Sequence, residues 1–121
     1  MANVLIVDDS RTSRRVLRDI LERNGHTVLG EAVDGKEGYD MYQTLKPDIV
    51  TMDITMPVMD GIDSLKLIMR FDPQAKVIMV TAAGQKQKMM EALKIGAVEF
   101  ISKPLDEEAI VKTLNEITQV N

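Results

Sequence analysis

Val4-Leu5-Ile6-Val7 runs directly into Asp8-Asp9-Ser10. An unbroken apolar run rich in β-branched residues suits a strand covered on both faces, since a strand with one wet face would alternate. Ser10 is a good N-cap, and Val16, Leu17, Ile20 and Leu21 form one apolar stripe on a helix from Arg11 to Asn24. Gly25 ends that helix as a C′ residue. A doubly covered strand followed by a helix is the start of a βαβ unit.

The remaining chain repeats that unit. Thr27 to Ala32 reads as the second strand. Asp34-Gly35-Lys36-Glu37 resembles a capping box and opens a helix to about Leu45, ended by Lys46-Pro47. Ile49 to Met52 is the third strand, with Asp53 at its C-terminal end, and a loop through Met56-Pro57 and Asp60-Gly61 leads to a helix from about Ile62 to Arg70. Lys76 to Val80 is the fourth strand, Thr81-Ala82-Ala83-Gly84 follows, and a helix runs to Ile95 and stops at Gly96. Glu99 to Ser102 is a more polar fifth strand, as suits a sheet edge, and Asp106 caps a last helix towards Gln119. Strict alternation predicts an α/β fold: a doubly wound, five-stranded parallel sheet with five helices on its two faces, in one domain spanning residues 1–121.

Composition narrows the chemistry. The chain has 121 residues, 19 Asp+Glu against 15 Lys+Arg, one His, no Cys and no Trp. Without Cys there is no disulfide, thiolate nucleophile or Cys-ligated metal, and one His excludes a multi-His centre. A net charge of −4 and only four aromatics (Tyr39, Tyr42, Phe71, Phe100) argue against nucleic-acid binding. No apolar run approaches the ~20 residues of a membrane span, and the N-terminus lacks a signal-peptide pattern. The expectation is a cytoplasmic domain.

In open parallel sheets ligands bind beyond the carboxyl ends of the strands. Asp8 and Asp9 follow the first strand, Asp53 the third, Thr81 the fourth and Lys103 the fifth. If the first and third strands are neighbours, three carboxylates converge, and each like pair at ~4 Å costs about 4 kcal/mol at an effective dielectric of 20. A hard divalent cation relieves that repulsion, and few protein ligands with open positions favour Mg²⁺. With a Lys cation and a Thr hydroxyl beside it, the set fits a phosphoryl group: nucleophile, charge neutraliser and hydrogen-bond donors.

Val7-Asp8-Asp9-Ser10, Asp53 with Met56-Pro57 and Asp60-Gly61, Thr81-Ala82, and Lys103-Pro104 stand in an order and spacing that resembles the receiver domain of two-component response regulators, of the stand-alone chemotaxis type. The resemblance covers essentially the whole chain. It implies a flavodoxin-like strand order 2-1-3-4-5 and no output domain. It implies Asp53 as phosphoacceptor, with Asp9, Asp53 and the backbone carbonyl of Thr55 on Mg²⁺ and Asp8 acting largely through a metal-bound water. Thr81 and Lys103 would hold phosphoryl oxygens, the Lys103–Pro104 peptide would be cis, and Phe100 would be the switch aromatic. Implied partners are a histidine kinase or phosphotransfer protein and a downstream target, the flagellar motor switch or another. The expected state is a monomer, with dimerisation on phosphorylation left open. The protein would catalyse only its own phosphorylation and dephosphorylation, with Thr55 and Ala83 flanking the attacking water.

Other residues have plainer readings. Met52, Met56 and Met59 fit packing better than a soft-metal site, because the nearby acids are hard ligands. His26 reads as a surface turn residue. On the first helix, Arg15–Asp19, Arg18–Glu22 and Asp19–Arg23 are i,i+4 pairs, which leaves Arg11 and Arg14 unpaired and candidates for kinase docking. Lys86, Met90 and Ile95 are expected as exposed contacts on an output face. Two other classes compete. A haloacid-dehalogenase-type phosphohydrolase needs a second Asp two residues after the nucleophile, where Thr55 stands. A flavodoxin-like electron carrier needs a phosphate loop where Asp8-Asp9 would repel the phosphate.

Overall fold

The computed structural model describes residues 1–118. Its elements are β1 (Asn3–Val7), α1 (Arg11–Arg23), β2 (Thr27–Ala32), α2 (Gly35–Leu45), β3 (Ile49–Asp53), α3 (Gly61–Phe71), β4 (Val77–Thr81), α4 (Lys86–Ile95), β5 (Glu99–Ser102) and α5 (Glu107–Thr118). The five strands form one parallel sheet in the flavodoxin-like order β2-β1-β3-β4-β5. β1 and β3 are direct neighbours, with Val7 opposite Met52, so the ends carrying Asp8 and Asp53 emerge side by side. The β1–β2 register slips by one residue: Val4 pairs with Val28 but Leu5 with Gly30.

Each central strand feeds two cores. Leu5, Val7, Val50, Met52, Val77 and Met79 face α2, α3 and α4, where they meet Tyr42, Leu65, Ile68 and Ala92. Val4, Ile6, Ile49 and Ile78 face α1 and α5, where they meet Leu17, Leu21, Ile110 and Leu114. Continuous apolar runs were required because neither face is wet.

Helix starts follow the sequence. Ser10, Asp34 and Asp60 each accept a hydrogen bond from the backbone N–H three residues on, and Asp106 does the same for Ala109. In α2 the Glu37 carboxylate reaches back to the Val33 N–H, one residue before the cap. Asp60 fixes the start of α3 at Gly61, one residue earlier than the apolar pattern implied. β4 starts at Val77 rather than Lys76, although the Lys76 carbonyl still accepts from Val50 N–H. Gln119 lies outside the described residues.

Two expectations fail here. His26 is buried, not a surface turn residue: its Nδ1 accepts from the Ala2 N–H at 3.1 Å, and burial pushes its pKa down. Ile95 is half-buried and packs on the core, while Lys86 and Met90 are exposed. Met52 and Met56 are buried among apolar neighbours, as packing residues.

Candidate functional site

β1 and β3 are held in register by the ladder, and the candidate site lies at their C-terminal ends, with Asp8 and Asp9 just after β1 and Asp53 the last residue of β3. One oxygen each from Asp8, Asp9 and Asp53 falls within a set whose members all lie within 4.8 Å of one another. Asp8 and Asp53 are buried and Asp9 is exposed. Lys103, arriving from the end of β5, places its Nζ 3.2 Å from Asp8 Oδ2 and 3.6 Å from Asp53 Oδ2. Its backbone N–H donates to the Thr81 carbonyl, and the Lys103–Pro104 peptide is cis. Thr81 is buried at the end of β4.

The backbone shapes the acids. Asp8 Oδ1 accepts from the Ser10 N–H at 2.8 Å, which turns the chain into α1, and Asp53 Oδ1 accepts from the Ile54 N–H at 3.0 Å. Burial first, then the charge of Asp8, raises the Asp53 pKa to about 6, against the opposing pull of Lys103 and the Ile54 N–H. Burial disfavours the Lys103 ammonium, but Asp53 and Asp8 outweigh it and raise its pKa. One cation against three acids leaves the pocket short of positive charge. All its donors are hard oxygens, and two of them are held in place, so the residues fit a hard divalent cation such as Mg²⁺.

The arginines depart from expectation. Arg14 is not unpaired: its Nε lies 3.0 Å from Glu31 Oε1, and its Nη1 donates to the Asp8 carbonyl at 2.9 Å. Glu31 also pairs with Arg18 at 2.6 Å, and Arg18 with Glu22 at 3.0 Å. Glu31 sits opposite Ile6 in the sheet, on the face that α1 covers, so the two arginines reach it one helical turn apart. Arg23 pairs with Glu107 on α5 instead of Asp19, and these contacts pull the Glu107 pKa to about 2. Arg11 is exposed.

One contact had no signal in the sequence pattern. Gln85 Nε2 donates to Thr55 Oγ1 at 2.6 Å, and Gln85 Oε1 accepts from the Ala82 N–H at 2.8 Å. Thr55 and Ala83 are exposed at the rim, and Phe100 is half-buried against the core that includes Met79 and Ala92.

The family model of the response regulator receiver domain matches residues 4–115. The chain belongs to the response regulator receiver family. This receiver is 50% identical over 116 residues to the chemotaxis protein CheY of Thermotoga maritima, covering 96% of this chain and 97% of that one. It is 43% identical over 113 residues to the Bacillus subtilis chemotaxis protein CheY, covering 93% and 94% of the two chains. Among solved structures, the CheX–CheY–BeF3–Mg²⁺ complex from Borrelia burgdorferi contains a similar chain, with TM-score 0.93 and 42% identity, covering 98% of this receiver and 90% of that chain. The family is one of two-component signalling proteins. Among the described residues no helix is long and apolar enough to cross a membrane.

Proposed function

We propose that this receiver is a phosphorylation-operated signalling protein of the chemotaxis type, with Asp53 as phosphoacceptor. The observation that carries the reading is the convergence of Asp8, Asp9 and Asp53 on one point, with Lys103 reaching two of them. A Borrelia relative with this fold was solved with BeF3 and Mg²⁺, which supports the same ligand chemistry here.

Asp8, Asp9, Asp53 and the Thr55 backbone carbonyl would hold the metal, directly or through water. Bound there, Mg²⁺ would neutralise the charge of the transferring phosphoryl group. The Asp53 carboxylate attacks phosphorus in line, the bond to the donor's phosphohistidine nitrogen breaks, and an acyl phosphate forms on Asp53. Lys103 neutralises one phosphoryl oxygen and the Thr81 hydroxyl donates to another. Drawing Thr81 and Lys103 inward moves Phe100 and the surface of α4, β5 and α5. A downstream protein that prefers that surface then shifts the population. Hydrolysis of the acyl phosphate by the receiver itself would end the signal.

The donor is a histidine kinase or phosphotransfer protein in the cytoplasm, with Arg11 on its docking side. The target is the flagellar motor switch or another chemotaxis component, and the receiver acts as a monomer unless phosphorylation drives pairing.

Acetyl phosphate with Mg²⁺ is expected to add one phosphoryl group to the wild-type protein, read by intact mass. Asp53→Asn should add none. Labelling of Asp53→Asn to the wild-type level would sink the assignment, and sustained turnover of an aryl phosphate would favour a phosphohydrolase instead.

A further inference from the structure

We propose that Gln85 is a positioning residue that ties the loop after Asp53 to the start of α4, so that rearrangement at the phosphoacceptor is passed directly to that helix. The proposal rests on Asp53 as the phosphoacceptor.

Gln85 occupies the N-cap position of α4 yet makes no capping bond there. Its carboxamide is used in the other direction. Nε2 donates to Thr55 Oγ1, two residues beyond Asp53, and Oε1 accepts from the N–H of Ala82, the residue after Thr81. One side chain therefore joins three places: the loop leaving the acceptor, the loop leaving the Thr81 strand, and the first turn of an output-face helix.

The surroundings give that link leverage. The first turn of α4 has no acid to complement the helix dipole, and Lys86 and Lys88 stand there instead. The linking segment is open: Ala82, Ala83 and Gly84 are exposed, and Gly84 sits at φ +87 with nothing near the place a Cβ would occupy. Of α4, only Ala92 is fully buried, so packing holds its start weakly. A helix end with no cap, no acid and little burial takes its position from the polar contacts it does have. Gln85 supplies two.

Amide exchange by NMR tests the link in five unphosphorylated proteins: wild type, Gln85→Ala, Gln85→Glu, Thr55→Val and the Gln85→Ala/Thr55→Val double variant. Gln85→Ala should speed exchange of the Ala82 N–H by about tenfold, the scale of one or two lost hydrogen bonds. Gln85→Glu keeps the acceptor for Ala82 and should change it by less than about threefold. Thr55→Val should loosen the first-turn amides of α4 in the wild-type background and have no further effect in Gln85→Ala.

Phosphorylation by acetyl phosphate with Mg²⁺ should then shift the Lys86–Met90 resonances in the wild type. Normalised to the phosphorylated fraction, that shift should fall to half or less in Gln85→Ala and Thr55→Val. Unchanged Ala82 exchange in Gln85→Ala, an equal Thr55→Val effect in both backgrounds, or a full α4 response without Gln85 would each overturn the proposal. A wild-type protein that takes up no phosphoryl group would overturn the Asp53 assignment and the relay with it. A phosphorylated variant lacking Gln85 but showing a full response would overturn the relay alone.

Discussion

Arg14 Nη1 donates a hydrogen bond to the backbone carbonyl of Asp8 at 2.9 Å. The same guanidinium is anchored by Glu31, whose burial cost is outweighed by Arg18 and Arg14, leaving its pKa lowered. An arginine that looked like a docking cation in the sequence is thus part of the frame that holds a metal-ligand candidate. Arg11 and Arg14 therefore separate by experiment. Arg11→Glu should slow transfer from a phosphohistidine donor and leave labelling by acetyl phosphate unchanged. Arg14→Glu places an acid beside Glu31 and frees the Asp8 turn, so it should slow both donors and weaken Mg²⁺ binding. Initial labelling rates with each donor, across a Mg²⁺ titration, check the contrast.

Asp53 predicts the pH behaviour of the metal-free protein. Its pKa, raised to about 6 mainly by burial and then by Asp8, exceeds that of an unfolded carboxylate. The folded chain therefore holds the proton to higher pH than the unfolded chain. Asp53's contribution to stability falls as pH rises from the ordinary carboxylate range through about 6, and stays low above it. The shift corresponds to at most about 3 kcal/mol. Asp53→Asn in EDTA should melt above the wild type at pH 7.5, and the two should converge near pH 4. Melting curves across that interval decide it, and a constant difference at all pH values would rule out the titration.

How legible was this in the sequence? The sheet was, because burial on both faces demands mostly apolar strands, and Val4 to Val7, unbroken, and Ile49 to Met52, broken only by buried Thr51, supply them. Three caps were too, since the Ser10, Asp34 and Asp106 side chains bond to their own helices, whereas Asp60 reads as a loop residue in the sequence and caps α3 in the structure. The convergence of Asp8, Asp9 and Asp53 needed one tertiary fact, that β1 lies beside β3. Arg14 reads as unpaired in the sequence because its pairing with Glu31 crosses 17 residues, and i,i+4 spacing is blind to that. It could have been found by asking which strand residues face α1. Buried His26 and the Gln85 bridge had no such signal, because each depends on where a chain end or a loop happens to lie.

Mg²⁺ should stabilise the receiver in proportion to the relief of repulsion among the three acids. At a hundred times its dissociation constant, a ligand that binds only the folded state adds about 2.7 kcal/mol. For a domain of this size that raises Tm by roughly 10 °C. Asp9→Asn removes the exposed carboxylate of the three without disturbing the Asp8–Lys103 pair, and should reduce the Mg²⁺-induced shift by more than half. Calorimetry with and without MgCl₂ reads both. A wild-type Tm indifferent to Mg²⁺ would remove the physical basis for a metal at this site.

Gly61 and Gly84 should fail differently when each is changed to Ala. A Cβ on Gly61 would overlap the Asp53 backbone carbonyl, and the Gly61 N–H already bonds the Ile54 carbonyl at 2.7 Å. Neither strand end nor helix start can yield without moving Asp53, so the cost should reach about 3 kcal/mol or more, at the upper end for overpacking. Phosphorylation of the folded fraction should fall with it. Gly84 has open space around it, and its only demand is φ +87, so Gly84→Ala should cost about 1–2 kcal/mol of backbone strain. Urea denaturation gives both stabilities, and acetyl phosphate labelling in native buffer gives both activities. Gly61→Ala should lose stability and labelling together, while Gly84→Ala should keep labelling. Equal and small losses would mean that close approach of α3 to the Asp53 carbonyl does not hold Asp53 in place.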